Sequence, residues 1–279
     1  MTQHPSHAFD KAIALTPTGQ GEGHYLGATS PDYWNMVGPF GGVTAAIVVQ
    51  AVLCHPRLLG VPIAITVNYA AAMVAGPFEV RVIEVRTNRS TQHWTVQIAQ
   101  PDPHGAPQIN TTATLVTATR RDTWSENDVP MPAVPRPETL QSLVTGPKGV
   151  DWLRRYEMRA VSGAVPTVWD GSGTHSETVL WLRDSALRPV DFPALMAMSD
   201  MFYPRVWLRR AKYVPAGTVS ITTYFHVGKA ELAQVGAGYL LGRAQGQSFY
   251  NGFFDQTAQL WADGGQLLAT SNQIVYFKE

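Results

Sequence analysis

Cysteine is almost absent from this chain of 279 residues, where Cys54 stands alone. One thiol can form neither an internal disulfide nor a thiolate metal cage, so the fold rests on its core. Charge is also scarce: Asp, Glu, Lys and Arg supply 15% of the residues, below the roughly 25% usual for soluble domains. The 21 basic and 21 acidic residues cancel. A neutral chain is not drawn to polyanions, which argues against a coat for nucleic acid or an anionic membrane. Long hydrophobic runs are missing too. The longest, Val43 to Cys54, is broken by Thr44 and Gln50 and falls short of the ~20 residues of a spanning helix. Met1 to Gly23 carries Asp10 and Lys11 beside a very short apolar patch, no core for a signal peptide, so a soluble cytoplasmic protein is expected.

The familiar reaction motifs are missing as well. Gly171-Ser172-Gly173-Thr174-His175-Ser176 is a Gly/Ser loop without the spacing of a nucleophile elbow, and there is no H-E-x-x-H, C-x-x-C or Walker loop. Gly19 to Gly23 follows no apolar strand and reads as a loop. The eight histidines are scattered, so no metal and no cofactor is expected.

What is present is a packed globular composition, 45% hydrophobic, which excludes disorder for most of the chain. The length suits two domains. A composition shift from Arg120 to Gly149, with Pro130, Pro132, Pro135, Pro137 and Pro147, excludes long helices and central strands there. A short helix is predicted around Glu138 to Val144. The expected division is an N-terminal domain over 1–120, a linker over 121–160 and a C-terminal domain over 161–279.

Both sides of the linker follow one plan: strand, buried helix, run of strands. In the first half Gly23 to Thr29 reads as a strand, and Pro31 to Pro39 as a loop. Gly41 to His55 is apolar on nearly every face, as a helix covered by a sheet must be. Strands are predicted over Ile63 to Ala70, Phe78 to Val85, Trp94 to Ile98 and Ile109 to Thr119, with a β-bulge near Val82 where the apolar phase slips. In the second half Thr178 to Arg183 is a strand, and Asp191 caps a helix from Phe192 to Tyr203 that Pro204 stops. Strands follow at Thr218 to Val227, Tyr239 to Ala244, Phe253 to Ala262 and Gln266 to Phe277. The expected class is α+β, each helix lying on a sheet face.

Three polar residues sit oddly in this pattern. Asp200 lies among Met196, Ala197 and Tyr203 on the predicted helix, where an unpaired carboxylate is expensive. The alternative is a helix edge facing water. Gln273 falls on the inward face of the last strand with Leu267, Ala269, Val275 and Phe277, so its amide needs partners. Thr218 opens a strand whose alternate face carries Ser220, Thr222, Tyr224 and His226.

With those residues in hand, the chain resembles the double hot-dog acyl-CoA thioesterases of the thioesterase II type, two tandem hot-dog repeats each with a long central helix wrapped by an antiparallel sheet. Gly38-Pro39-Phe40-Gly41-Gly42 is similar to the glycine-marked start of the first hot-dog helix, and Arg86-Thr87-Asn88-Arg89-Ser90 to a basic turn between strands. Ser199-Asp200, Thr218 and the stretch Leu267 to Gln273 resemble the family's Asp, Thr and Gln. Asn68 to Met73 lacks the basic residue the family often carries, and the acidic-histidine dipeptide after the Thr is missing.

The resemblance implies hydrolysis of an acyl thioester by water, with Asp200 as general base and Thr218 and Gln273 holding the water. Gly41, Gly42 and Val43, at a helix N-terminus, are the expected oxyanion donors. Apolar side chains around the helices would line an acyl tunnel. Arg86, Arg89, Arg205, Arg209 and Arg210 are the candidates for coenzyme A phosphates. Ala46 stands where gapless placement of the halves puts Asp200, which implies one catalytic site per chain, built across the two halves. The partner is an acyl-CoA or related thioester, with pairing of copies through sheet edges expected. Two other readings are a non-catalytic acyl-ligand-binding or scaffold hot-dog protein and an enoyl-thioester hydratase. The hydratase requires a D-x-N-P-x-H-like stretch, which is missing.

Overall fold

The computed structural model describes residues 7–143 and 150–279. In chain order it contains α1 (Ala8–Ala12), β1 (Thr16–Pro17), β2 (His24–Ala28), α2 (Gly41–Leu53), β3 (Val61–Tyr69), β4 (Pro77–Thr87), β5 (Thr91–Pro101) and β6 (Pro107–Ala118). After the proline-rich stretch come β7 (Tyr156–Ser162), β8 (Thr178–Asp184), α3 (Phe192–Met198), α4 (Arg205–Arg210), β9 (Ala216–Phe225), α5 (Lys229–Val235), β10 (Leu240–Gln245), β11 (Phe249–Tyr250), β12 (Phe253–Ala262) and β13 (Leu267–Phe277). Two compact units share these elements. Among the described residues the first comprises 7–121, 150–155 and Asp191–Met198, and the second 122–143, 156–190 and Ser199–Glu279.

The first unit carries an antiparallel sheet in the order β1-β2-β4-β5-β6-β3. The second carries β7-β8-β10-β12-β13-β9, with β11 beside β12. The core order is the same in each. The strand before the helix comes first, three later strands follow in sequence, and the strand after the helix closes the far side. This is a hot-dog topology written twice, once as β2-β4-β5-β6-β3 and once as β8-β10-β12-β13-β9.

In the first unit α2 is the buried helix. Ten of its 13 residues are buried, on all faces, as its uniformly apolar sequence requires. Phe40 precedes it and stacks on Trp152 at a centroid distance of 4.2 Å. The helix ends at Leu53, because His55-Pro56 cannot extend it. α3 packs on α2, and the contact is close: a Cβ on Gly42 would stand 2.6 Å from the Ala197 carbonyl oxygen and 2.5 Å from the Phe40 ring. Asp191 begins α3 as expected, accepting from the Ala194 N–H at 2.9 Å.

Several expectations need correction. The second-half helix stops at Met198, not Tyr203, so it spans 7 residues and Asp200 lies in the turn beyond it. A separate helix, α4, follows Pro204. The bulge expected near Val82 sits at Val85, between Glu84 and Arg86 in the pairing with β5. Between Arg120 and Leu143 the stretch holds one 3-10 turn, Pro137–Thr139, in place of a longer helix; Val144 lies outside the described residues, as do Pro147 and Gly149. The predicted linker also contained a strand, β7, which pairs with β8. No helix among the described residues is long and apolar enough to cross a membrane.

Candidate active site

The second unit brings three distant polar residues into one hydrogen-bonded chain. Gln273 lies on β13, 6% exposed, on the inward face with Ser271 and Val275. Its amide nitrogen donates to Asp200 Oδ1 at 2.9 Å, and its Oε1 accepts from the Thr218 hydroxyl at 3.0 Å. The orientation is set by chemistry. An ionised carboxylate only accepts, so the amide nitrogen must face Asp200 and the amide oxygen is left for the hydroxyl. Asp200 and Thr218 are half-buried.

Thr218 reaches this chain by way of a bulge. On β9 Ser220 pairs with Ile274, but Thr218 pairs with Val275, so Val219 is an extra residue. Strict alternation would place Thr218 with Ser220, Thr222 and Tyr224 on the more exposed face. The inserted residue turns it to the inward face of Ile221, Thr223 and Phe225. Sequence periodicity cannot register such a bulge when every residue nearby is small or β-branched.

A fourth residue escaped the sequence reading. Ser271, two positions before Gln273 on the same face, donates to the Ser199 carbonyl at 3.3 Å and fixes the residue that precedes Asp200. The available signal was its shared strand phase with Gln273.

Two family models match the sequence along its length. One describes the acyl-CoA thioesterase N-terminal domain and covers residues 30–120; the other describes the acyl-CoA thioesterase C-terminal domain and covers residues 126–277. The chain belongs to the acyl-CoA thioesterase family.

Among solved structures, a conserved protein of unknown function with a hot-dog fold from Alicyclobacillus acidocaldarius is 40% identical, covers 99% of each chain and superposes with a TM-score of 0.91. The acyl-CoA thioesterase II TesB2 of Mycobacterium marinum is 18% identical, with 97% of this chain and 98% of that one covered and a TM-score of 0.74. The dehydratase domain of RzxB from Pseudomonas fluorescens shares the fold at 12% identity, 98% and 100% coverage and a TM-score of 0.60. The last two show the fold alone, and that fold serves more than one reaction. No curated protein matches this chain.

Within this thioesterase-family chain the remaining candidates fall in different places. In the first unit Gly41 and Gly42 open α2, where the first N–H groups lack partners inside the helix. Val43 does not fit the oxyanion role expected of it, because its N–H donates to the Phe40 carbonyl at 3.1 Å. Arg86 and Arg89 lie at the end of β4 and in the turn to β5, exposed; Arg86 Nε donates to Asn88 at 2.9 Å. In the second unit Arg209 and Arg210 end α4, Arg209 donating to the Gly173 carbonyl at 3.2 Å and Arg210 pairing with Glu279.

Arg205 is the clear correction. It is fully buried, so no coenzyme A phosphate reaches it. Its guanidinium donates to the Tyr203 and Ser176 carbonyls and the Thr178 hydroxyl, the last two at 2.9 and 2.8 Å. Burial draws its pKa down to about 9, with the nearby Tyr203 acting in the opposite sense, so it stays cationic at neutral pH. It ties α4 to β8. Among the described residues no three His, Cys, Asp or Glu side chains gather in a way that could hold a metal ion.

Proposed function

We propose that this chain is a thioester hydrolase acting on an acyl-CoA, with water as the nucleophile and Asp200 as its base. The observation that carries the reading is the Thr218–Gln273–Asp200 chain of hydrogen bonds. The Thr218 hydrogen is committed to Gln273, so its oxygen is an acceptor toward the site. The Gln273 nitrogen has two hydrogens, one of them committed to Asp200. A water set among the three would give one hydrogen to Asp200 and one to Thr218 while accepting the second amide hydrogen. One lone pair is then left for the thioester carbonyl.

Attack forms the new C–O bond and passes the water proton to Asp200. The carbonyl electrons go to the oxyanion, which backbone N–H donors would stabilise. Collapse breaks the C–S bond, and Asp200 returns the proton to the departing thiolate. The products are free acid and thiol. Family membership supports the substrate class, and the buried position of Gln273 supports a pre-positioned water. A cytoplasmic location and pairing of copies through the outer strands complete the reading, and size-exclusion chromatography reads the second. The direct test is thiol release from a panel of acyl-CoA thioesters; a pure, folded protein that releases none leaves the acyl-binding scaffold in its place.

A further inference from the structure

Four glutamines are buried among the described residues, and three of them are held at both ends of the amide. Gln92 accepts from the Leu59 N–H at 2.7 Å and donates to the Arg57 carbonyl and the Thr87 hydroxyl, each at 2.8 Å. Gln100 accepts from the Val74 N–H at 2.9 Å and donates to the Val74 and Pro77 carbonyls at 3.0 and 3.1 Å. Gln273 joins Thr218 to Asp200. The fourth, Gln256, is 3% exposed, and among the described residues its amide has no hydrogen-bond partner. Burying an amide unpaired is unfavourable, and the chain avoids it at its other buried glutamines. The Thr223 hydroxyl is also unpartnered among the described residues, but it is sealed; the Gln256 amide is not, so space remains beside it.

Gln256 lies on β12, where it interrupts an apolar inward face of Phe254, Ala258 and Leu260. In the ladder with β13 it stands directly opposite Gln273, and the pairing is regular at this point. Residues opposed in this way hold their Cβ atoms about 4.5–5.5 Å apart on one face, so the two glutamine side chains are neighbours. β13 runs between β9 and β12. The β9 side supplies Thr218, which with Asp200 and Gln273 would hold the water; the β12 side supplies Gln256. Ser176, Thr178 and Ser271, buried in the same unit, are already committed, each donating to a backbone carbonyl.

A buried donor without a partner, next to the group that orients the nucleophile, suits a partner that arrives with the substrate. Attack on a thioester turns its carbonyl oxygen into an oxyanion. The Asp200 carboxylate repels that charge, so a donor must come from elsewhere. An amide N–H supplies one without a counter-charge, and burial strengthens it because water competes less. We infer that Gln256 is a further catalytic residue, its side-chain nitrogen donating to the carbonyl oxygen of the bound thioester and to the oxyanion formed from it. This rests on the proposed function and deepens it: the nucleophile would be held on the β9 side of Gln273 and the oxyanion on the β12 side.

The test measures free-thiol release from acyl-CoA thioesters by the full chain as wild type, Gln256→Met and Gln256→Leu. Methionine keeps the length of the side chain, and both substitutions remove the polar atoms. Because they also remove an unpartnered buried amide, at least one should melt at or above the wild-type temperature. In that variant kcat should fall by about 10²–10³-fold with little change in KM, the pattern of an interaction that strengthens in the transition state. A packing role does not give a stable protein with lost turnover. A second readout needs no turnover. An acyl-CoA carrying carbon-13 at its carbonyl, bound to Asp200→Asn, should show a lower carbonyl stretching frequency than when Gln256→Met is added. Wild-type kcat in the folded variants, or an unshifted carbonyl stretch, overturns the role of Gln256 and leaves the hydrolase standing. Lower melting temperatures in both variants overturn it as well, because the amide is then satisfied within the fold. A wild type that releases no thiol from any acyl-CoA overturns the hydrolase reading, and this role with it.

Discussion

Gln273 donates its side-chain amide to Asp200 across 73 residues of sequence, at 2.9 Å. The same amide accepts from Thr218, 55 residues away, at 3.0 Å. Two strands and a turn therefore converge on one side chain, whose two ends are chemically distinct. That asymmetry makes the arrangement testable.

Gln273→Leu keeps volume and removes both hydrogen bonds. It leaves a half-buried carboxylate and a hydroxyl without their partner, which costs about 1–3 kcal/mol of stability. Thr218→Val removes one bond and costs about 1 kcal/mol. Because both single variants lose the same Thr218–Gln273 bond, the double variant should be less destabilised than the sum of the singles. Chemical denaturation of the four proteins checks this, and strict additivity would contradict the coupling.

Arg205 is a buried cation held by neutral oxygens. Arg205→Ala strips donors from the Ser176 and Thr178 oxygens, opens a cavity, and is expected to cost at least about 3 kcal/mol. Arg205→Lys cannot reproduce the fork and should recover only part of the loss. Urea melts measure both. Unchanged stability in the alanine variant would show that α4 is not anchored through this side chain.

How much of this was legible in the sequence follows from what periodicity can see. Gln273 was placed inward by alternation with Val275 on β13; the irregularities in this strand's pairings, at Leu268 and opposite Ile274 and Val275, leave the phase at Gln273 intact. The buried character of α2 followed from a composition without a polar face. The identical strand order of the two units was visible only as a plan, because the halves share little literal sequence. Thr218 shares its parity with Ser220, Thr222 and Tyr224, and the one inserted residue that reverses this phase, Val219, leaves no trace in composition. The end of α3 at Met198 was hidden because Ser199 to Tyr203 holds no Gly or Pro, and Met201, Phe202 and Tyr203 follow the two polar residues. Arg205 was grouped with Arg209 and Arg210 as a phosphate candidate, because nothing in its sequence neighbours signals burial; the packing of β8 and β10 around it does.

Glu157 offers a pH signature. Partial burial pushes its carboxyl up, but hydrogen bonds from Tyr239, Arg159 and Arg183 outweigh this and bring its pKa from 4.5 to about 2. The folded value lies below the unfolded one, so the stabilisation is fully present above pH 4.5 and is lost as pH falls toward about 2. Wild type should therefore lose stability over that window more steeply than Glu157→Gln, as followed by thermal melts at stepped pH. Parallel profiles would contradict the assignment.

Thr223 is fully buried on the inward face of β9, and among the described residues its hydroxyl has no hydrogen-bond partner. Thr223→Val keeps the branched shape and removes the stranded oxygen. It should raise stability by about 1 kcal/mol, measured as a higher denaturation midpoint with an unchanged slope. A lower midpoint would mean that the hydroxyl is satisfied in solution.

The most direct measurement of the central claim compares wild type with Asp200→Asn in free-thiol release from acyl-CoA. The asparagine keeps the shape of the residue and can still meet Gln273, but it cannot take the proton from water. The rate should fall by about 10²–10⁴-fold with the thermal midpoint near that of wild type. Equal rates in the two proteins would contradict Asp200 as the base.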